Sequence, residues 1–176
     1  IIGCECYVAR RGRHLKEGKE DMSGWHLVVL AKNLKGYKNL IKMVSYGWTE
    51  GFYMRPRIDK ELLEKYHEGL IVASACLGGE IPKKIAQNNF EEADKSIEWF
   101  KNLFGDDFYL ELQRHKTNRP DANREVYPLQ ENVNKELIRL SEKHGVKLIV
   151  TNDVHFVDEE DADAHDRLIC LSTGKD

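Results

Sequence analysis

Val146-Lys147-Leu148-Ile149-Val150 is a short apolar run rich in β-branched residues, and Thr151-Asn152-Asp153-Val154-His155 follows at once. Ahead of it lies Leu129 to His144, apolar at helical spacing and closed by Gly145. Glycine suits the left-handed position just beyond a helix end. Helix, glycine stop, strand and polar turn in that order predict one piece of an α/β fold. Working outward, four more runs read as strands: Ile1 to Val8, His26 to Ala31, Leu70 to Ala75 and Phe108 to Leu112. Their length and flanking Gly or Asp favour strand over helix.

Helical spacing fills the intervals. Gly36 to Tyr46 carries Tyr37, Leu40, Ile41 and Val44 on one face. Asp59 is a candidate N-cap for Lys60 to Tyr66, with Gly69 beyond its end. Asn89 followed by Glu92 resembles a capping box for a helix that Gly105 stops. Asp158 opens the last helix, along which lie Ala162, His165, Leu168 and Ile169. Arg10 to Ser23 and Thr117 to Asn123 lack apolar periodicity and read as exposed polar loops, the first of them alternatively as a long hairpin. Strand patterns resume on both sides of each, so the 176 residues read as one domain. The opening Ile1-Ile2-Gly3-Cys4-Glu5 reads as mid-strand, which predicts an excised fragment whose partner strands lie upstream.

Charge and composition narrow the function classes. Lys and Arg total 27 against 30 Asp and Glu, which argues against a generic basic coat for nucleic acid. Mean hydropathy is −0.58, and no run approaches the ~18 apolar residues of a membrane span. Cys4, Cys6, Cys76 and Cys170 show no C-x-x-C spacing. Scattered thiols in a charge-rich chain fit a reducing cytosol better than a secreted disulfide framework.

In α/β folds chemistry collects at the carboxyl ends of strands. Asp153-x-His155 places a carboxylate and an imidazole on one side of extended backbone, as ligands of one metal or of two neighbours. The competing reading is an Asn-Asp turn and a surface histidine. Cys76 sits at a strand end before Gly78-Gly79, where a sharp turn can present its sulfur. Its alternative is a small buried hydrophobe. Glu5 is a lone carboxylate in an apolar strand, costly to bury unpaired. If the strand opened by His26 pairs antiparallel with it, Glu5 and His26 become neighbours. Glu111 interrupts its apolar run on a face shared with Tyr109 and Gln113, either a barrel interior or a solvent face. His115, just past that strand, reads most simply as a surface residue. Taken together these residues fit a polynuclear site for borderline metals such as zinc or manganese. The Arg- and Lys-rich loops bearing Arg10, Arg11, Arg13 and Arg114 would attract a phosphate on the same rim, or are simply solvated.

Several long motifs in a fixed order carry a resemblance. They are Ile2-Gly3-Cys4-Glu5-Cys6-Tyr7-Val8, His26-Leu27-Val28-Val29-Leu30-Ala31-Lys32-Asn33 with Gly36-Tyr37-Lys38-Asn39-Leu40, and Glu50-Gly51-Phe52-Tyr53 with Pro56-Arg57-Ile58-Asp59. Ser74-Ala75-Cys76-Leu77-Gly78-Gly79-Glu80-Ile81-Pro82, Thr151-Asn152-Asp153-Val154-His155 and Glu160-Asp161-Ala162-Asp163-Ala164-His165-Asp166 complete them. Over nearly the whole chain the sequence resembles the polymerase-and-histidinol-phosphatase (PHP) domain of the bacterial replicative DNA polymerase III alpha subunit. The resemblance implies an α/β fold, a partial and distorted (β/α) barrel, spanning residues 1–176. It implies a cluster of up to three zinc or manganese ions. Glu5 would bridge, His26 and Cys76 would complete one site, Asp153 would serve a second metal and His155 a third. Glu111, His115 and Asn152 would flank these ligands.

The family's His-x-His strand and Asp-His turn have no counterpart in these residues, so the fragment alone is expected to be inactive. The resemblance further implies a cytoplasmic bacterial DNA-directed DNA polymerase as parent, whose palm lies downstream. In that parent the domain would be a metal-dependent 3′–5′ exonuclease. The alternative is a silent scaffold that docks the proofreading exonuclease and other replicase subunits. A free-standing PHP phosphatase fits the long motifs less well. DNA is the expected partner through the polymerase, and no membrane is expected.

Overall fold

The computed structural model describes residues 1–118 and 124–174. Strands β1 (Gly3–Val8), β2 (Trp25–Ala31), β3 (Arg57–Ile58), β4 (Leu70–Ala73), β5 (Phe108–Gln113) and β6 (Lys147–Thr151) form one open sheet in the order β3-β1-β2-β4-β5-β6. Strand β2 runs antiparallel to both β1 and β4. The pairs β1–β3, β4–β5 and β5–β6 are parallel. Five strands therefore point one way and β2 points back, so the start of β2 lies at the end of the sheet where the other five finish.

The helices are α1 (Gly18–Asp21), α2 (Leu34–Thr49), α3 (Lys60–Tyr66), α4 (Glu80–Ala86), α5 (Phe90–Phe104), α6 (Val126–His144) and α7 (Ala162–Thr173). Alternation along β1 and β2 buries Cys6, Val8, Leu27 and Val29. These join Met43 of α2, Leu63 of α3, Ile97 and Phe100 of α5, and Leu137 of α6 in a single core. Phe100 stacks on Phe108 with ring centroids 5.1 Å apart. Glu5, Tyr7, His26 and Val28 take the opposite, incompletely covered face of the same two strands.

The α/β reading and the five longer strands hold. Asp59 caps α3 by accepting the Leu62 N–H at 3.1 Å, and Gly145 ends α6 with φ 62°. Helix α2 extends beyond the expected Gly36 to Tyr46, because Asn33 caps it by accepting the Gly36 N–H. Asn89 forms no side-chain cap on α5, contrary to the capping-box reading. Glu92 instead accepts from Lys95. Strand β3 and helix α4 were not anticipated. Strand β6 is an edge strand whose Val150 remains 79% exposed.

The largest correction concerns Arg10 to Ser23, expected to be an exposed loop or a long hairpin: it does connect the antiparallel pair β1–β2, but it is not simply exposed. It holds α1 and two buried charges, Arg13 at 7% and Asp21 at 1% exposure. Arg13 donates to Asp59 at 3.0 Å, to Glu50 at 2.8 Å and to Glu61 at 3.2 Å. Asp21 accepts from Arg11 and from the Glu17 N–H. The fully buried Arg57 donates to the carbonyls of Gly51, Arg13 and Leu15. Each charge is buried with an opposite charge or carbonyl partners, the condition under which burial is tolerated. Of the second polar loop, Thr117 to Asn123, residues 119–123 lie outside the described residues.

Candidate metal centre

Strand direction gathers the donors. Cys76 follows β4 and Asp153 follows β6, at the carboxyl ends of strands, and the reversal of β2 brings His26 to the same end. Register places His26 opposite Tyr7, two residue pairs along and therefore on the same face as Glu5 opposite Val28. The Glu5 carboxylate reaches His26 Nδ1 at 2.7 Å, and Cys76 Sγ stands 3.4 Å from that nitrogen. One ligand atom from each of Glu5, His26 and Cys76 lies within 4.8 Å of the other two.

Both contacts crowd one ring nitrogen. In a nucleophile–histidine–carboxylate relay the imidazole bonds the nucleophile through one nitrogen and the carboxylate through the other. Convergence on Nδ1 does not match that relay and leaves three donors close enough together to hold one cation. Carboxylate, imidazole and thiol suit zinc, which takes four ligands and in catalytic sites keeps one position open. Three protein donors beside a partly exposed Glu5 and His26 fit that pattern.

The backbone fixes this geometry. The His26 N–H donates to the Gly78 carbonyl at 3.0 Å, and the ring meets Tyr7 edge-on at 5.1 Å. A Cβ on Gly78 would lie 3.0 Å from His26 Nδ1, so only glycine leaves the ring its present place. Ala75 adopts φ 62°, a conformation that non-glycine residues seldom take, and thereby turns the chain into Cys76. The Gly78 N–H points at Cys76 Sγ. Burial pushes the Cys76 thiol above its ordinary pKa, the Gly78 N–H opposes this, and the charges of Asp153 and Glu5 push the same way as burial.

Asp153 and His155 stand beyond β6 in a cleft of about 550 Å³ shared with His115, Asn152, Phe156 and His165. The His155 Nδ1–H donates to the Asp153 carbonyl at 2.7 Å, which leaves Nε2 with its lone pair free. Glu5, His26 and Cys76 are the three residues gathered at ligand distance among the described residues; Asp153 and His155 are not part of that group. His165, whose ring centroid is 5.7 Å from that of His155, was absent from the sequence-based set. It lies in the first turn of α7, within the Glu160–Asp166 motif, where helical spacing alone did not mark it as a site residue.

The flanking residues are ordered. Glu111 is buried at 5% exposure, so its face is an interior one. The His115 N–H donates to Gln130 Oε1, which fixes the Gln130 amide. Gln130 Nε2 then donates to His115 Nδ1, and the opposite His115 Nε2–H donates to the Asn152 carbonyl at 2.6 Å. Both nitrogens of His115 are thus committed to protein partners, and the residue is no simple surface histidine. Arg11 is paired with Asp21, and Arg13 with Asp59 and Glu50, so carboxylates compensate both locally. Arg114 meets Glu131 at 2.9 Å and the Tyr127 hydroxyl. Arg10 lies over the Trp25 ring at 4.4 Å.

Residues 1–115 match the family model described as the PHP domain. Over 99% of its length the chain is 50% identical to the DNA polymerase III subunit alpha of Borreliella burgdorferi and 41% identical to that of Treponema pallidum. Over 98% it is 38% identical to the protein of the same name from Thermus aquaticus. It spans 14% of the length of each of these relatives.

Proposed function

The chain belongs to the PHP domain family, and from that footing we propose that residues 1–176 act as the metal-binding PHP domain of a bacterial DNA polymerase III alpha subunit, itself a DNA-directed DNA polymerase. The observation that carries the metal reading is the convergence of Glu5, His26 and Cys76. Zinc is the ion this donor set suits best, since thiolate favours zinc over manganese. Asp153, and His155 through its open Nε2, are proposed to serve further ions up to a cluster of three. Bound there, the metal would supply Lewis acidity toward phosphoryl oxygen and lower the pKa of water.

The reaction proposed is hydrolysis of a DNA phosphodiester from the 3′ end. Arg10, at the exposed rim, would draw the phosphate backbone toward the cleft. Arg11, Arg13 and Arg114 are already compensated by carboxylates and would contribute to that field less. The likeness to DNA polymerase III alpha subunits favours this over a free-standing phosphatase. A cytoplasmic location is part of the proposal, and no described helix is long and apolar enough to cross a membrane.

A second reading is a silent scaffold that docks the proofreading exonuclease and other replicase subunits. The separation of Asp153 and His155 from the three-ligand group favours it. Metal analysis of the full-length protein, wild type against Cys76→Ala, decides between the two. Bound zinc that falls on mutation, with loss of 3′–5′ cleavage of single-stranded DNA, is the expected result. A folded wild-type protein without metal or cleavage would overturn the hydrolytic reading in favour of the scaffold.

A further inference from the structure

Strand β5 lies between β4 and β6, which lead into the two halves of the proposed centre. At its middle, Glu111 touches both neighbours. Its backbone N–H donates to Ser74 Oγ at 2.9 Å, two residues before Cys76. Its Oε1 accepts from the Thr151 hydroxyl, two residues before Asp153, and from Gln113 Nε2 at 2.9 Å. Ser74, Glu111 and Gln113 are all buried. Glu111 Oε2 and Gln113 Oε1 meet no donor among the described residues. Both residues line a cavity of about 10 Å³ whose wall includes Cys76, Gln130 and Asn134. That volume fits one water-sized donor, the partner two buried acceptor oxygens call for.

Beside this, Gln130 orients His115, whose Nε2–H donates to the Asn152 carbonyl and ties down the start of the Asn152–His155 turn. A buried carboxylate placed so costs more than an apolar residue in a core. What it gives in return is a set distance between two loops that no helix or strand joins directly.

We propose that Glu111 is a positioning residue of the metal centre: its backbone is tied to Ser74 beside the Cys76 half, and from there its carboxylate holds Thr151 and so sets the Asp153–His155 half. The inference rests on the metal reading above. It assigns Glu111 no contact with metal or substrate. Partners that orient metal ligands typically govern about 10–100-fold in metal affinity, and the Glu111 carboxylate would do so for the Asp153–His155 half.

The test is cobalt(II) titration of the full-length protein, following the thiolate-to-cobalt charge-transfer band for the Cys76 half and total stoichiometry for the other. Thr151→Val removes one hydroxyl at nearly constant volume. It is expected to leave the thiolate band at full intensity and weaken the remaining binding by about tenfold. Glu111→Ala keeps the backbone N–H to Ser74, so it should likewise leave the thiolate band and weaken the remaining binding, whereas Glu111→Gln, whose Oε1 still accepts from Thr151 and Gln113, should restore that binding. A purely structural Glu111 would lower thermal stability in all three variants without separating the two signals, and that result would overturn the proposal. If Glu111→Ala does not fold, Thr151→Val alone decides. Wild-type protein that binds no cobalt would instead remove the metal reading on which the proposal rests.

Discussion

Gly78→Ala is the most direct probe of the candidate centre, because it adds one carbon against one ligand. The new Cβ would stand 3.0 Å from His26 Nδ1, 3.1 Å from Cγ and 3.2 Å from Cδ2. Carbon contacts settle near ~3.5 Å, so the ring must retreat by about 0.4 Å. Gly78 is not among the positive-φ glycines, so alanine meets no backbone strain there and the ring carries the whole adjustment. Metal–ligand distances are held to within about 0.2 Å. A displacement twice that, at a nitrogen already shared by Glu5 and Cys76, should weaken zinc binding by about 10–100-fold. In free energy that is roughly 1.4–2.7 kcal/mol. The fold itself should lose no more than the ~0.5–1.5 kcal/mol of a displaced rotamer. Competition against a chelator of known affinity reads the first quantity and urea unfolding of the metal-free protein reads the second. Unchanged zinc affinity in a variant of normal stability would show that His26 Nδ1 is not where the metal sits.

Two further expectations concern stability. Glu80 is buried; desolvation pushes its carboxyl up, but Lys60, Lys84 and Ser96 outweigh this and hold it below the ordinary range. A depressed folded-state pKa contributes stability that is complete above the unfolded value near ~4.3 and is lost as pH falls through the folded one. Glu80→Gln should therefore cost about 1–3 kcal/mol at neutral pH, with the gap to wild type closing only below about pH 4.5; a gap constant down to pH 3 would contradict this. Arg57→Ala leaves three carbonyls without their buried donor and opens a cavity, for a loss of roughly 3–5 kcal/mol. Limited proteolysis should then cut within residues 10–23, and an unchanged digestion pattern would refute the anchoring role of Arg57.

Periodicity exposed most of the sheet. Runs such as Phe108 to Leu112 are long enough to show a strand, whereas the two residues of β3 are too few to carry any period. The capping motif of Asp59 was legible because its carboxylate serves a local N–H; that of Asn89 was misleading because Glu92 found Lys95 instead. Arg13 and Asp21 looked solvated since charge ordinarily means exposure, and only long-range partners such as Asp59, 46 residues away from Arg13, reverse that. Glu5 and His26 were legible as neighbours once antiparallel pairing was assumed. Their meeting with Cys76 at a single nitrogen depends on the turn through Ala75 and Gly78, which no spacing rule encodes. Whether Glu111 faced an interior or solvent turned on its hydrogen-bond partners Ser74, just past β4, and Thr151 of β6, also remote in sequence.

The reversal of β2 bears on how the molecule assembles. Glu5 and His26 meet within the first hairpin, but Cys76 joins them only when β4 docks on β2, and the Asp153 turn only after β5 and β6 have added in sequence. A chain that is still collapsing offers a cation no more than a carboxylate and an imidazole, and the long loops must close before a thiol arrives. Ions can therefore do little to nucleate this sheet. Stabilisation that a cation adds only to the fully assembled site slows unfolding and leaves the rate of folding unchanged.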